Sequence, residues 1–448
     1  MNLDNKFFYK FLLSKKSDFV SHAISKIHST YSTKHNRSKI SLSSITNVIL
    51  SYLDCKKTIL KKRDKAEILI ISNLVSLDSL NKDLYFGNLD KILNKQKIKT
   101  IKAFRNFTDK SSTQLNKLVK NNNIIFSKRT NYIDELIFLF VTFKEALIFI
   151  FLTKYYDIKR YINLKDFLSI ISNLRLINQI EDLIKILNPK IIIFTYEGHA
   201  WERLLVNLCK KKYKYIATVG YQFSPIKNNQ IGFFRELKKD YNPDYLATSG
   251  QKTLTQITKR INFTEIFKLG SPNFNRLKIK DKKTKDLLVA LDSEPNELIR
   301  MTDFCINFAR KNKEFKIILR LHPIYNNKHK LVKEILLKIE KIHNLKISYK
   351  SLEKDLQKSK YLLFTDTAIC ITCLNYNVVP IFFYNKFSKN IFNNNFPRKN
   401  IVRHNKDLKR ILKKSNITKL TSYFKDYRDT YFEKFDINVL KNIIKEKS

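Results

Sequence analysis

Three stretches of this sequence place reactive side chains directly after an apolar, strand-forming run. In PKIIIFTYEGHAWERLLVNL, Ile191 to Phe194 have the makeup of a strand buried on both faces, and Trp201, Leu204, Leu205 and Leu208 then recur at helical spacing. Glu197, Gly198 and His199 fall between them, at the carboxyl end of a strand, the edge on which open α/β sheets hold ligands. A carboxylate there can take a proton from a hydroxyl, and a glycine beside it lets the backbone approach closely. KIILRLHP ends in His322 and Pro323, and strand alternation sends Arg320 and His322 to the same side, where both could donate to a phosphate. YLLFTDT passes straight into a helical pattern at Thr365 and Thr367. A hydroxyl at that junction caps the helix, or helps its free N–H groups hold an anion.

The same rule of position adds lesser candidates. Gln222 and Ser224 in GYQFSP lie near the edge that carries Glu197 and could meet acceptor hydroxyls together with His199 and Gly198. Glu294 follows the strand DLLVAL and could contact a donor's base or ribose, or could serve a surface turn. Gly270 and Ser271, which end the strand in FTEIFKLGSPNF, are further candidates to contact a donor. Five of the six glycines, at 198, 220, 232, 250 and 270, concentrate tight backbone geometry in this part of the chain.

These positions need strands and helices in alternation to hold them. The order from Ala66 onward (strand, loop, helix, strand) opens one Rossmann-like half, and a second α/β series begins at DLLVALDSEP. The reading is an α/β protein of two Rossmann-like domains facing across a cleft, with helical extensions at both ends. It places a helical N-terminal extension at 1–64, a first Rossmann-like domain at 65–242, a second at 243–385 and a helical tail at 386–448. Residues 108 to 188 read as helical throughout, and the Lys-rich 278 to 286 as a solvated linker.

At 448 residues and 43% apolar content the chain is long enough for two sizeable cores. A net charge of +46 would ordinarily point to a polyanion or an anionic membrane as partner. Only 17 of the 86 basic residues are Arg, and Lys, Asn and Ile are abundant everywhere, so the charge reads as a bias of the whole chain. No specific nucleic-acid partner is expected, since basic and aromatic residues do not gather on one face. Five scattered cysteines form no disulfide framework and fit a reducing cytoplasm, and the pair Cys370 and Cys373 sits in an apolar run better suited to packing than to zinc. The first residues, MNLDNKFFYKFLLSKKSD, are too charged for a signal peptide. Leu136 to Leu152 is the most apolar segment, but Lys144 and Glu145 at its centre favour a buried or membrane-surface helix over a spanning one. The sequence has no G-x-G-x-x-G, no P-loop and no D-x-D, so no metal and no cofactor are expected.

Taken together, YEG at 196 to 198, HP at 322 to 323 and TDT at 365 to 367 resemble the inverting GT-B glycosyltransferases of bacterial surface carbohydrate (capsule and lipopolysaccharide) synthesis. The nearest likeness is to the capsular polysialyltransferase and Kdo-transferase group; teichoic-acid glycerophosphotransferases are more distant. It covers roughly residues 66 to 385, in motif order and spacing. The resemblance implies Glu197 as general base, and His322 with Thr365 or Thr367 on the nucleotide phosphate. It also implies a CMP-activated sugar as donor and a glycan or glycolipid as acceptor, at the inner face of the cytoplasmic membrane. Two departures stand out: Tyr196 replaces a frequent second acid, and Thr replaces the more usual Ser. The rival readings are a CDP-polyol phosphotransferase on the same fold and a basic, non-catalytic polyanion-binding protein.

Overall fold

The computed structural model describes residues 65–447 apart from short stretches, the longest being 154–163, 275–285, 385–395 and 414–423. The N-terminal extension and nearly all of the Lys-rich linker therefore lie outside the described residues. Two fully parallel sheets organise the rest. The first is β3-β2-β1-β4-β5-β6-β7 and the second β10-β9-β8-β11-β12-β13.

The first sheet consists of β1 (Ile68–Leu74), β2 (Thr100–Asn106), β3 (Ile124–Ile125), β4 (Ile191–Thr195), β5 (Ala217–Gln222), β6 (Tyr245–Thr248) and β7 (Glu265–Lys268). Both of its faces are covered, which is why β1 and β4 are nearly continuous runs of Ile, Leu and Phe. On one face Leu69, Ile71, Ile192 and Phe194 pack against α3 (Leu164–Leu187), α4 (Ala200–Lys212) and α6 (Gln251–Thr258). On the other, Ile68, Ile70, Ile191 and Ile193 meet α1 (Leu89–Lys95) and the last helix, α13 (Asn438–Glu446). The helix α2 (Tyr132–Thr153) lies against α3, anchored by a buried Glu135 that Arg175 grips with two nitrogens. No helix among the described residues is long and apolar enough to cross a membrane.

The second sheet consists of β8 (Asp286–Ala290), β9 (Ile317–Arg320), β10 (Leu345–Ile347), β11 (Ser359–Phe364), β12 (Val379–Phe383) and β13 (Ile401–Val402). One face holds α7 (Pro295–Lys311), α8 (Lys330–Ile339) and α11 (Asn405–Lys413). The other holds α9 (Leu352–Lys358), α10 (Ile369–Thr372) and α12 (Lys425–Tyr431). Cys370 and Cys373 are packed into that second face as fully buried thiols.

Three sequence expectations differ from this arrangement. The first sheet does not end near 242: β6 and β7 pair onto β5, so the first half runs through Lys268. The stretch 108 to 188 is not wholly helical, because Ile124 and Ile125 add an edge strand beside β2. The segment after 386 is no separate tail. Part of it completes the second sheet as β13, and α12 enters that half's core. The chain then returns to the first half, where Leu440, Ile443 and Ile444 of α13 are buried.

Candidate active site

β4 delivers Glu197 to the carboxyl edge of the first sheet, and the turn that follows is tightly built. Gly198 has φ +81°, and a Cβ there would lie 2.1 Å from the carbonyl oxygen of Gly232, on the short helix α5 (Ile231–Phe234). Glycine is therefore required. Within α4, Glu202 folds back so that its Oε2 accepts the backbone N–H groups of Glu197 at 3.0 Å, Gly198 at 2.7 Å and His199 at 2.8 Å. Glu202, not Glu197, is thus the carboxylate that caps this helix. Burial pushes its pKa up to about 7, against the opposing pull of His199 and of the backbone donors.

Glu197 is left facing outward, with its Oε2 2.9 Å from Nε2 of His199. Partial burial is the largest single influence on the imidazole and would lower its pKa. The hydrogen bond to Glu197 and the charges of Glu202 and Glu197 outweigh it, leaving the value raised to about 9. The imidazole is therefore charged at neutral pH, and the pair stands partly open to solvent.

The same edge holds residues that the sequence reading missed. Asn73, at the end of β1, donates to the Thr195 hydroxyl at 3.3 Å, and Arg105, at the end of β2, reaches the Asn73 Oδ1 at 3.4 Å. Tyr85 shares Asn73 and feels the Glu197 charge; burial is the main reason its phenol is raised to about 12. Asn73 comes near the end of an apolar strand run, the same signal that marked Glu197 and His322, whereas the strand of Arg105 is interrupted by Lys102. Tyr196 is core: its ring packs edge-on to Phe194 and Phe233 under the Arg203 guanidinium. Gln222 is fully buried and its Oε1 accepts the N–H of Ser224 at 2.9 Å, so these two residues brace one another at the end of β5.

In the second half, β9 brings His322 and Pro323 to the carboxyl edge, where the His322 carbonyl closes a turn with the N–H of Tyr325. Burial lowers the His322 pKa and the Asp292 charge opposes it, so the imidazole is neutral at pH 7. Asp292 is the organiser here: it accepts the Thr365 hydroxyl at 3.0 Å and the N–H of Glu294 at 3.0 Å. Sequence reasoning had passed it over, although it too follows a strand run. Thr365 is buried and committed to Asp292, whereas the Thr367 hydroxyl accepts the N–H of Ile369, the first residue of α10, at a long 3.4 Å. That helix is one turn followed by a 3-10 turn at Cys373–Tyr376, so its dipole offers an anion less than a long helix would. Asp366 lies outside the described residues.

The other donor candidates are held by contacts within the fold. Arg320 turns to α9, where it pairs with the buried Asp355 at 2.8 Å and donates to the Lys350 carbonyl. Glu294 is the N-cap of α7, accepting from Glu297 N–H at 2.8 Å. Gly270 and Ser271 seat the returning C-terminal segment: Gly270 has φ +96° with its Cα against the Lys434 carbonyl, and Ser271 donates its N–H to Glu433.

Two parallel sheets in this order, each with its reactive residues at the carboxyl edge, define the architecture. This is the GT-B fold. A complex of S. aureus MnaA with UDP has the fold at a TM-score of 0.51 and 11% identity, over 82% of this chain and 93% of that one. A UDP-N-acetylglucosamine 2-epimerase, so described provisionally, from Listeria monocytogenes matches at 0.51 and 9% identity, over 82% of this chain and 92% of its own. No protein-family model matches the sequence, and neither does any curated protein. On the GT-B frame the Glu197 cluster belongs to the first half and the His322 cluster to the second.

Proposed function

We propose that the protein is an inverting, metal-independent glycosyltransferase that moves a sugar from a CMP-activated donor to a cell-surface glycan or glycolipid. It would work at the inner face of the cytoplasmic membrane. The observation that carries this reading is the Glu197–His199 pair. A carboxylate released from capping duty by Glu202 stands outward at the sheet edge, oriented by an imidazole 2.9 Å away. In the proposed reaction Glu197 takes the proton of an acceptor hydroxyl while that oxygen attacks the anomeric carbon, and the nucleotide leaves with the electrons of the breaking bond. In this reading His322 donates one N–H to the departing phosphate, and Thr367 donates its hydroxyl to the same group. Thr365 acts at one remove, by holding Asp292.

Nucleotide identity and Glu197→Gln test this together. CMP should raise the melting temperature more than CDP, UDP or GDP. Glu197→Gln should keep nucleotide affinity while turnover falls by a factor of roughly 10² to 10⁴. A variant transferring sugar at the wild-type rate would remove Glu197 from the chemistry. A second reading follows from the fold neighbours, one bound to UDP and one described as a UDP-sugar epimerase: a UDP-sugar enzyme needing no acceptor. Stabilisation by UDP, with conversion of a UDP-sugar in the absence of acceptor, would favour it.

A further inference from the structure

Arg105 is a partly buried cation of the first half whose bonding is out of keeping with its charge. Three other arginines show the contrast: Arg175 grips Glu135 with two nitrogens, Arg320 pairs with Asp355, and Arg203 donates to Asn242 and to the carbonyls of Gly232 and Tyr241. Arg105 has five N–H donors and one long contact, 3.4 Å to the Asn73 amide oxygen. Among the described residues no carboxylate lies in ion-pair range of it. Glu202 contributes field, but the oxygen it turns toward this edge already takes three backbone N–H groups. The guanidinium is held instead by ring faces, 4.4 Å from the centre of Trp201 and 4.9 Å from that of Phe107. Trp201 is buried, while Phe107 is 57% exposed, so the clamp opens toward solvent at the carboxyl edge of the sheet.

We infer that Arg105, clamped between Trp201 and Phe107 and oriented by Asn73, is a subsite for an anionic group, a carboxylate or a phosphate, on the acceptor. The placement follows from the strands: Asn73 and Arg105 are register partners on adjacent β1 and β2, and β4, carrying Glu197, pairs with β1 on its other side. A planar guanidinium with unused donors matches either anion in a bidentate fork. This deepens the transferase reading, resting on Glu197 as the acceptor-side base, and it makes the acceptor an acidic sugar or a phosphorylated one.

Trp201 is the sole tryptophan of the chain, so its fluorescence reports directly on this clamp. The full-length protein would be titrated with glucuronate, glycerol 1-phosphate and, as a neutral control, glucose. At least one anion should change the emission saturably and glucose should not; which anion binds more tightly separates carboxylate from phosphate. Arg105→Gln should weaken that binding by about 10- to 100-fold, the range for hydrogen bonds to a charged group. Arg105→Lys, keeping the charge without the fork, should fall between. Circular dichroism and melting on each variant guard against misfolding. No saturable response to either anion, or equal affinity in Arg105→Gln, overturns the subsite. Glu197→Gln should bind the anion as wild type does, so loss of the transferase reading would leave this result standing, and the reverse.

Discussion

At Gly198 the sequence and the chemistry meet in one atom. Alanine there would combine a left-handed φ with a Cβ 2.1 Å from the Gly232 carbonyl oxygen. Gly198→Ala should therefore cost about 1 to 3 kcal/mol and displace Glu197. Gly232→Ala, across the same contact, would place its Cβ 3.5 Å from the Glu197 carbonyl and should be tolerated. Urea melts of both test this, and equal losses would show that the contact is not what fixes the turn. His199 makes a pH prediction. Its folded pKa, about 9, is above the unfolded value, so its contribution to stability is complete below pH 6.5 and lost as pH rises to about 9. Melting temperature should decline across that window, and His199→Gln should flatten the decline; a slope unchanged in the variant would break the link. Glu197, Gly198 and His322 were legible because each follows an obvious strand run. Glu202 was not, since nothing in a helix's first turn says which of two nearby carboxylates folds back to cap it.

Strands and helices were mostly legible, because both sheets are buried on two faces and their strands read as unbroken apolar runs. What period and composition could not give was partnership. PDYLAT and FTEIFK read as strands, yet nothing in them says which sheet they join, and so the boundary near 242 fell two strands early. The two-residue β3 is too short to show any alternation. The return of the C-terminal segment depends on contacts far apart in sequence, such as Lys268 with Glu433 at 2.6 Å. Arg320 illustrates the same point. Alternation placed it beside His322, but the buried carboxylate of Asp355, on an element 35 residues later, takes it. Arg320→Ala should thus leave nucleotide affinity intact and lower stability by about 1 to 3 kcal/mol, below the usual cost of breaking a buried pair because Arg320 is partly exposed. A folded variant with normal stability and weakened nucleotide binding would return Arg320 to the site.

In both halves the second and third strands lie outward from the first on one side and the later ones on the other, so each presents one carboxyl edge with ligand-facing loops. What sits outside that symmetry is α2. Glu135, Phe138 and Thr142 are buried on its inner face, while Ile133, Leu136, Ile137, Phe140 and Phe143 lie exposed along the opposite one, Ile133 and Phe140 at 70%. Single exposed apolar residues are ordinary, but five on one face within three turns form a patch that soluble surfaces rarely keep open. We propose that an anionic bilayer covers it, since a chain of net charge +46 is drawn to such a surface and the apolar face then inserts at the headgroup boundary. The two contributions separate experimentally. Wild-type protein should sediment with vesicles containing phosphatidylglycerol and much less with pure phosphatidylcholine. Replacing Leu136 and Phe140 together by Asp hardly alters the net charge but removes two inserting side chains, each contributing up to about 1.5 to 3 kcal/mol when fully buried. Binding of that variant should fall at least about tenfold, and what remains should be abolished by salt that wild type withstands in part. A double variant that sediments as well as wild type would reduce the attraction to charge alone, and wild type that ignores anionic vesicles at low salt would leave α2 with no role at a membrane.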